Sequence, residues 1–499
     1  MSESYVKPDV LKFRPIDEYA PQYKYTRIAM SNVGTNTVTI QEGSTQEVQF
    51  TTPANTVFNL HESLLPYELQ IPDTAVVDQY NVTFEDTFEI GESVYFGTAA
   101  GLDLCNLNEA NKYLKIRSKM TTSVKDLLTN DAMGCLRSSN ATDADNTQAT
   151  PYTAVAGNIY NITAGSTYNS TVHFLEPQYL FHGEKEDNPL PAAVKDRKSR
   201  VSRFRHFKLG NIKDTIYAMN KDLYFGSNEM VMRFKIPSHN KIGFKTKNLA
   251  NLEAAADTCS PFSSDVKINE FYLWLAVEQN EEIKKQLIAK YNSGSLKMQI
   301  PYTTSFKKST TGAGTVSVPL AFNRSNGKKI KRILHTVWHP NEKTNHAYDS
   351  DNWDGKKVLS YRTYLDSVPI QHNDISCKLP VPGKIGHEDW LYNKKYCKDS
   401  AILNGAIYQH HWFHNDQFYE ENETTNVPDE NLDVGLPMTF GNQLLNRTWQ
   451  ITLEAMGDLS HITYATFLRD IAITPNGVIL DASGPLTSVT ANASVHVTA

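Results

Sequence analysis

Alternation of apolar and polar residues with a period of two is the feature of this sequence that most constrains its fold. Each alternating segment has one apolar and one polar face and is bounded by Gly, Pro or Asn. Successive side chains of a strand point to opposite faces of its sheet, so this spacing is typical of half-buried β-strands. We therefore predict an all-β fold with strands around Val38–Ile40, Val48–Phe50, Tyr67–Ile71, Val82–Ile90, Met230–Ile236, Leu296–Ile300, Val316–Phe322 and Trp449–Leu453.

Helical periodicity is rare in this chain. The clearest case runs from Asn280 to Tyr291, where Asn280 is a suitable N-cap and two glutamates follow it at the positive end of the helix dipole. A second candidate runs from Leu107 to Leu128. A few short helices in a chain of strands predict a β-sandwich fold with helical connections.

The length of 499 residues suits two large β-domains. A Gly-Ser pair leads into a strand at Gly43 and again at Gly294, half a chain length later, which indicates two similar halves. Two polar stretches, 138–172 and 339–441, read as long excursions from the core. We predict the following domains: an N-terminal arm over 1–35, a first sandwich over 36–278, a linker helix over 279–293, and a second sandwich over 294–499 with a long loop insertion at about 339–441.

Charge and cysteine content narrow the class of protein. The net charge of -6 argues against a protein whose main task is to wrap duplex DNA. The cysteines are odd in number, widely spaced and never in a C-x-x-C pair, so we expect a reducing compartment and no disulfide framework. They are Cys105, Cys135, Cys259, Cys377 and Cys397. No apolar leader or membrane-spanning run is present in the sequence, and we expect a cytosolic or nuclear protein that is not secreted.

Two blocks carry a resemblance to a known family. They are EGSTQEVQFTTPANTVFNLHESLLPYELQIP, residues 42–72, and VKINEFYLWLAVEQNEEIKKQLIAKYNSGSLKMQIPY, residues 266–302. Both blocks resemble the major capsid proteins of virophages and polinton-like viruses, within the lineage of the adenovirus hexon and the tectivirus coat protein. The shared features are packing patterns and not catalytic signatures.

The resemblance implies two eight-stranded jelly rolls in tandem, standing upright in the shell of a double-stranded DNA virus. It implies a homotrimer whose six jelly rolls form a pseudo-hexagonal capsomer of an icosahedral capsid. Long loops would form outer towers, and the arm would face the interior. The implied partners are the chain itself, neighbouring capsomers, minor capsid or penton proteins, and an internal membrane or packaged DNA. No cofactor and no small-molecule substrate are implied.

A histidine-rich segment is the best candidate for metal binding. His410, His411 and His414 lie in QHHWFH, with His387 and Cys397 upstream. His410 and His414 are four residues apart, which could place both on one face of a helix, but no H-E-x-x-H motif is present. In a β-rich chain a packing cluster or a subunit contact explains the segment better, and we predict no metal site.

Enzyme motifs are also missing. Acidic pairs that could serve glycoside hydrolysis, at Glu420-Glu421, Asp349/Asp351 and Asp429-Glu430, lie in polar stretches where solvated surface is the simpler interpretation. The sequence contains no G-x-S-x-G, Walker A or G-x-G-x-x-G motif. We therefore predict that the protein is not an enzyme.

Two basic runs are candidates for other contacts. The run 195–208 interleaves positive charges with Phe204 and Phe207, and could face DNA or anionic lipid inside a capsid, or else pair with acids of a neighbouring subunit. Its basic residues of interest are Lys195, Arg197, Lys198, Arg200, Arg203, Arg205 and Lys208. The run Gly327–Arg332 predicts a charged hairpin turn that enters a strand.

Two alternatives to a major capsid protein remain open. A carbohydrate-binding or carbohydrate-cleaving β-sandwich could use Trp353, Trp390 and Trp412 with nearby acids to line a sugar groove. A minor vertex protein would keep the virus but change the role, although such proteins usually have a single jelly roll and this chain has two halves.

Overall fold

The computed structural model describes most of both halves of the chain. The described residues are 21–70, 80–84, 90–121, 204–238, 242–247, 259–260, 265–294, 296–323, 326–338, 358–377, 413–418, 435–440, 443–444 and 446–480. In this part of the chain no helix is long and apolar enough to cross a membrane.

The first half forms two larger sheets and a small one. Its strands are β1 Tyr23–Ile28, β2 Val38–Ile40, β3 Gln46–Thr51, β4 Val57–Gln70, β5 Tyr80–Phe84, β6 Ser93–Thr98, β7 Asp103–Asn108, β8 Phe204–Lys208, β9 Asp222–Tyr224, β10 Met230–Ile236, β11 Gly243–Lys247, β12 Cys259–Ser260, β13 Val266–Asn269 and β14 Leu273–Glu278. Helix α1 covers Ala110–Thr121, and short 3-10 turns cover Leu209–Asn211 and Ile216–Ala218.

The second half forms two further sheets and a short hairpin. Helix α2, Glu281–Asn292, joins it to the first half. Its strands are β15 Leu296–Thr310, β16 Gly314–Phe322, β17 Lys329–Trp338, β18 Val358–Leu365, β19 Val368–Pro369, β20 Ile375–Ser376, β21 Phe413–Gln417, β22 Leu436–Pro437, β23 Thr439–Phe440, β24 Gln443–Leu444, β25 Arg447–Ala455, β26 Leu459–Thr474 and β27 Gly477–Leu480.

The first half is a jelly roll, with its eight strands lettered B to I in chain order. One sheet has the order B–I–D–G, in which β1 and β2 form strand B, β13 and β14 form strand I, β4 is strand D, and β8 and β9 form strand G. The other sheet has the order C–H–E–F, made by β3, β10, β6 and β7. We call this half roll 1.

The second half repeats the same topology, and we call it roll 2. Its B–I–D–G sheet is β15–β26–β17–β21, with β22 extending strand G. Its C–H–E–F sheet is β16–β25–β18, with β19 and β20 both pairing with β18 as strand F. The strand order of the chain itself therefore establishes a double jelly roll, the fold that the sequence analysis predicts.

The two rolls stand side by side and point in the same direction. At the end where strands D and F finish, the Tyr464 hydroxyl of roll 2 donates to the Glu109 carbonyl of roll 1 at 2.9 Å. At the opposite end, the Asn228 amide of roll 1 donates to the Thr474 carbonyl of roll 2 at 3.4 Å. Because like ends meet like ends, the strands of both rolls run along one common direction.

Long connections leave mainly from one end of both rolls. Those that follow strand D span 71–92 and 339–357, and those that follow strand F span 109–203 and 377–412. In roll 1 the connection after strand H is also long, and its strands β11 and β12 pair with β5 from the connection after strand D. We refer to this end as the insertion end. Roll 2 has one further long connection, 418–446, at the opposite end.

The segment 339–441, treated above as a loop insertion, contains strands of both sheets of roll 2. Strand β18 pairs with the central strand β25, and β21 pairs with β17. Val358 and Tyr361 of β18 are both buried although they are three residues apart, because a register shift between Val358 and Ser360 interrupts the alternation. That irregularity hides the strand from a search for period two.

Both predicted helices are present in the described part of the chain. The predicted helix at Asn280–Tyr291 is α2, and the Asn280 side chain accepts from the Glu282 amide at 3.0 Å as its N-cap. The helix docks on roll 1, where the rings of Tyr291 and Tyr224 meet edge to face at 5.0 Å. The second predicted helix is α1, and residues 122–128 of that prediction lie outside the described part. Within the predicted arm, residues 23–28 form β1.

Candidate functional site

The junction between the two rolls is the largest shared feature of the molecule. The B–I–D–G sheet of roll 2 has two covered faces, one against its own C–H–E–F sheet and one against roll 1. Leu334, Trp338, Ile462 and Tyr464 point toward roll 1 and belong to the same apolar cluster as the roll 1 core. The junction is therefore a continuous hydrophobic core and not a loose contact between domains.

A buried charge cluster lies in the middle of this junction. Asp214 Oδ2 of roll 1 contacts Arg117 Nε of α1 at 2.7 Å and Arg332 Nη1 of β17 in roll 2 at 3.1 Å. Tyr113 Oη donates to the same carboxylate oxygen at 2.6 Å, and Thr303 Oγ1 of roll 2 donates to the Asp214 carbonyl at 2.7 Å. Asp214, in the segment between β8 and β9, thus joins α1 to two strands of roll 2.

Electrostatics favour the charged form of this aspartate. Burial alone would raise the pKa of Asp214, but the guanidinium groups of Arg117 and Arg332 and the hydroxyl of Tyr113 together hold that pKa well below its usual range. Breaking a buried ion pair by removing one partner leaves an uncompensated charge and costs about 3–5 kcal/mol. The cluster therefore fixes the position of roll 2 relative to roll 1.

A second set of polar contacts surrounds the cluster. Glu109, at the end of β7, binds Lys112 at 3.1 Å and Lys307 of roll 2 at 2.7 Å. Burial would raise the pKa of Glu109, yet the two ammonium groups keep it well below its usual range. Asp103, at the start of β7, accepts from Tyr302 Oη at 2.6 Å and lies 3.6 Å from Arg469. Both ends of strand F of roll 1 are thus held to roll 2.

Roll 2 also buries a group of histidines inside its own sandwich. His335 and His461 stack at a centroid distance of 5.4 Å, with His335 Nδ1 at 2.7 Å from Thr463 Oγ1 and His461 Nε2 at 2.8 Å from Thr310 Oγ1. Burial, reinforced by the neighbouring histidines, lowers the pKa of His335 well below its usual value. Burial and Lys308 lower the pKa of His461 to about 4. Both rings are therefore neutral at neutral pH.

Of the five side chains considered for metal binding, the structure describes His414. His414 lies in strand β21, where its Nε2 is 2.9 Å from Asp416 Oδ1, and Trp449 Nε1 donates to the other oxygen of that carboxylate at 2.7 Å. Because His414 is in a strand, the helical spacing considered for it does not apply. His387, Cys397, His410 and His411 lie outside the described part of the chain. Within that part, no group of three or more His, Cys, Asp or Glu side chains is arranged to hold a metal ion.

The basic run 195–208 is only partly described. Residues 204–208 form β8, which pairs with β4, and Lys208 lies 3.6 Å from Glu62. Lys208 thus forms an ion pair within its own subunit, while its role toward DNA or lipid stays a prediction. The side chains of the other six basic residues fall outside the description, as do the tryptophans and acidic pairs proposed for sugar binding or cleavage.

The second basic run enters strand β17 at Lys329, as predicted, but the burial of its last two residues was not expected. Lys331 and Arg332 are not part of an exposed turn but lie inside β17, and both are at most 1 % exposed. The reason is that the B–I–D–G sheet of roll 2 is covered on both faces, so even the charged positions of β17 are buried. Sequence reasoning also missed Arg117 and Asp214, since their pairing depends on contacts between distant segments. The one available signal was Arg332, a charge next to the apolar run ILHTVW.

The chain is similar to several solved structures at 10% sequence identity or less. No family model and no curated protein matches the chain. Among solved structures, a chain of the Sputnik virophage structure is 9% identical with a TM-score of 0.49 and covers 100% of this chain and 97% of that chain. The PBCV-1 virus capsid model is 7% identical with a TM-score of 0.47, covering 94% and 99%. The mavirus major capsid protein is 10% identical with a TM-score of 0.41, covering 98% and 99%.

Proposed function

We propose that this chain is the major capsid protein of a double-stranded DNA virus and forms homotrimeric, pseudo-hexagonal capsomers. The observation that carries the proposal is the pair of jelly rolls with one strand order and one common direction. Three copies arranged around an axis along that direction present six similar sandwiches, which is the shape of a hexagonal tile. The resemblance of blocks 42–72 and 266–302 to virophage capsid proteins supports the same function.

The junction suits this role physically. A capsomer must keep its six jelly rolls in a fixed arrangement under load from neighbouring capsomers. Each subunit here contains a continuous hydrophobic core between its two rolls. The buried cluster around Asp214 makes the contact between the rolls specific in orientation, because charges need specific partners when they are removed from water. Closed symmetry then requires only one further type of contact, between one subunit and the next.

The two ends of the rolls differ, which supports different roles for the outer and inner sides of the capsomer. The long connections after strands D and F leave from the same end of both rolls, and we propose that this end forms the outer towers. The opposite end, where α2 joins the rolls, would face the interior. Neighbouring capsomers, minor capsid proteins, and a membrane or packaged DNA are the partners that this arrangement offers, with the protein located in the virion.

The first experiment is to determine the mass of the purified protein by light scattering after size-exclusion chromatography. We expect a particle of three chains of 56.2 kDa each, without added metal. Electron microscopy of the same fraction should show pseudo-hexagonal particles with central three-fold symmetry. A monomer at all accessible concentrations would contradict the proposed function and would favour a test of sugar binding instead.

A further inference from the structure

Among the described residues, the outer face of the B–I–D–G sheet is covered in roll 2 and open in roll 1. In roll 2, the outer face of the B–I–D–G sheet packs against roll 1 through Leu334, Trp338, Ile462 and Tyr464, all buried. The equivalent outer face of roll 1 belongs to β1, β14 and β4. Two sheets with the same strand order thus have opposite environments within one subunit.

The open face of roll 1 carries aromatic side chains. Leu273 and Leu275 of β14 point into the core, so Trp274 between them points outward, and it is 39% exposed. Tyr25 of β1 lies beside it with a centroid distance of 6.2 Å and is 45% exposed. Large aromatic side chains on an open sheet face are typical of the centre of a protein contact.

Ion pairs flank these two rings. Arg27 pairs with Glu270 at 2.6 Å and stacks on the ring of Tyr272, while Lys208 pairs with Glu62 at 3.6 Å. An apolar centre with a charged border is the usual anatomy of an interface between subunits. We name Tyr25, Trp274 and Arg27 the receiving face.

Inside the chain, strand F of roll 1 and the helix α1 that follows it cover the outer face of roll 2, where the rings of Tyr113 and Tyr464 meet at 4.8 Å. Strand β7, which is strand F of roll 1, binds the B and I strands of roll 2 through Asp103, which contacts Tyr302 of β15 and Arg469 of β26. The equivalent strand F of roll 2 begins at β19. There Val368 is 65% exposed, and Ile370 next to it is 37% exposed. We name Val368 and Ile370 the docking edge.

The exposed apolar residues therefore mark two surfaces that correspond to the two sides of the contact inside the subunit. In the described part of the chain, five large apolar side chains are exposed: Tyr25, Trp274, Val368, Ile370 and Met456. Four of them lie on the receiving face or the docking edge, which are the counterparts of the two surfaces that meet inside the subunit. The fifth, Met456, lies at the turn between strands H and I of roll 2.

We propose that the docking edge of one subunit packs on the receiving face of the next copy, head to tail, and that three such contacts close the ring. This inference rests on the proposed function and specifies the surface by which the trimer forms. The contact between subunits then copies the contact inside each subunit, so six rolls follow one another with the same geometry. A head-to-tail contact forms a closed ring when its rotation closes, whereas a two-fold contact would give dimers.

The test replaces one residue on each surface. Trp274→Glu and Val368→Glu each place a charge at the centre of the contact, and we expect each to lower the mass in solution three-fold, from three chains to one. Met456→Glu is the matched control, because it adds the same charge at an equally exposed apolar residue away from both surfaces. Its mass should stay at three chains. A far-ultraviolet circular dichroism spectrum that matches the control, together with a cooperative thermal transition, checks that the variants fold.

Cysteine pairs test the direction of the contact. A chain that carries both Trp274→Cys and Val368→Cys should form covalent trimers on a denaturing gel after treatment with a short bis-maleimide. Chains with only one of these cysteines should match the background of the unmodified protein. Covalent dimers from Trp274→Cys alone would show a two-fold contact and overturn the proposal. An unmodified chain that is a trimer, with both glutamate variants still trimeric, would overturn this contact but leave the proposed function intact. A monomeric unmodified chain would overturn both.

Discussion

The two jelly rolls share one strand order but differ in how their strands B and I are built. In roll 1 each of these strands is broken into two short pieces, β1 with β2 and β13 with β14. In roll 2 they are continuous strands, β15 and β26, and β26 is buried along nearly its whole length. The continuous strands of roll 2 lie between the two hydrophobic cores, whereas the broken strands of roll 1 have an exposed outer face.

The rolls also differ in which groups they bury. Roll 2 contributes Arg332 to a charge cluster whose other members belong to roll 1, so its wall is attached by charges as well as by apolar contacts. Roll 1 keeps aromatic residues on its own open wall, at Tyr25 and Trp274. Burial alone therefore distinguishes the covered sheet face of roll 2 from the exposed sheet face of roll 1. Four predictions test this comparison.

The largest effect is expected at the buried charge cluster between the two rolls. Asp214→Asn removes the buried carboxylate that Arg117 and Arg332 share, and we expect a loss of about 3–5 kcal/mol in the free energy of unfolding. Lys285→Met is the control, since Lys285 forms an exposed pair with Glu282 on α2, and its unfolding midpoint should not change. Chemical denaturation measures both. A loss below about 1 kcal/mol for Asp214→Asn would mean that the cluster does not hold the rolls together.

The second prediction compares the junction between the rolls with the core inside roll 2. Ile462 points toward roll 1, and Ile451 of β25 lies in the core of roll 2; both are fully buried. Replacing either by Ala should cost about 2–5 kcal/mol, because each deletion leaves a cavity in a packed core. Denaturant titration gives the two values. A much smaller cost for Ile462→Ala would show that the junction is a loose domain contact, contrary to the description above.

This comparison also explains which parts of the fold the sequence reveals. Strands with one open face, such as β10 and β16, alternate cleanly and are predicted from the sequence. Strand β26 does not alternate, because both of its faces are covered, and it reads as a mixed run from Leu459 to Thr474. Strand β18 is hidden by the register shift near Val358, and the partners of Asp214 are distant in sequence. Local pattern predicts half-buried elements, whereas shared walls and charge clusters depend on long-range contacts.

The third prediction concerns acid and roll 2. His461 has a pKa of about 4 in the fold against 6.5 when unfolded, and burial lowers the pKa of His335 as well; the charged or titratable groups that face the pair are His414 and Lys308. The unfolded chain binds more protons between these pH values, so stability is complete above pH 6.5 and falls as the pH drops toward 4.

For His461 we expect a loss on the order of 1–2 kcal/mol between pH 6.5 and 5. His461→Gln keeps a polar partner for Thr310 but cannot be protonated, so its unfolding free energy should depend less on pH over this interval. Equilibrium denaturation at a series of pH values provides the comparison. An unchanged slope in the variant would show that the buried histidines do not set the acid sensitivity.

The smallest effect is expected in roll 1 and has the opposite sign. Burial and the neighbouring Glu278 raise the pKa of Asp222 to about 6, against the hydrogen bonds from Tyr23 and Asn59, which lower it. The folded chain therefore holds a proton that the unfolded chain releases between pH 3.8 and 6, so this carboxyl makes the fold less stable as the pH rises through that window. Asp222→Asn should remove this dependence while it keeps a polar group beside Tyr23 Oη, which lies 2.9 Å from the Asp222 carboxylate.

Combined with His461→Gln, the Asp222→Asn variant separates the acid responses of the two rolls. The free energies of unfolding of the single and double variants are measured at pH 4, 5 and 6. Asp222→Asn should reduce the fall in stability that accompanies rising pH. His461→Gln should reduce the rise in stability over the same range. If Asp222→Asn instead steepens the loss of stability toward pH 6, the carboxyl is stabilising in its charged form and the carboxylate pair with Glu278 is not strained. If the sign is as expected, protonation of Asp222 stabilises the fold and protonation of His461 destabilises it over the same drop in pH, so the two buried groups respond to acid in opposite directions.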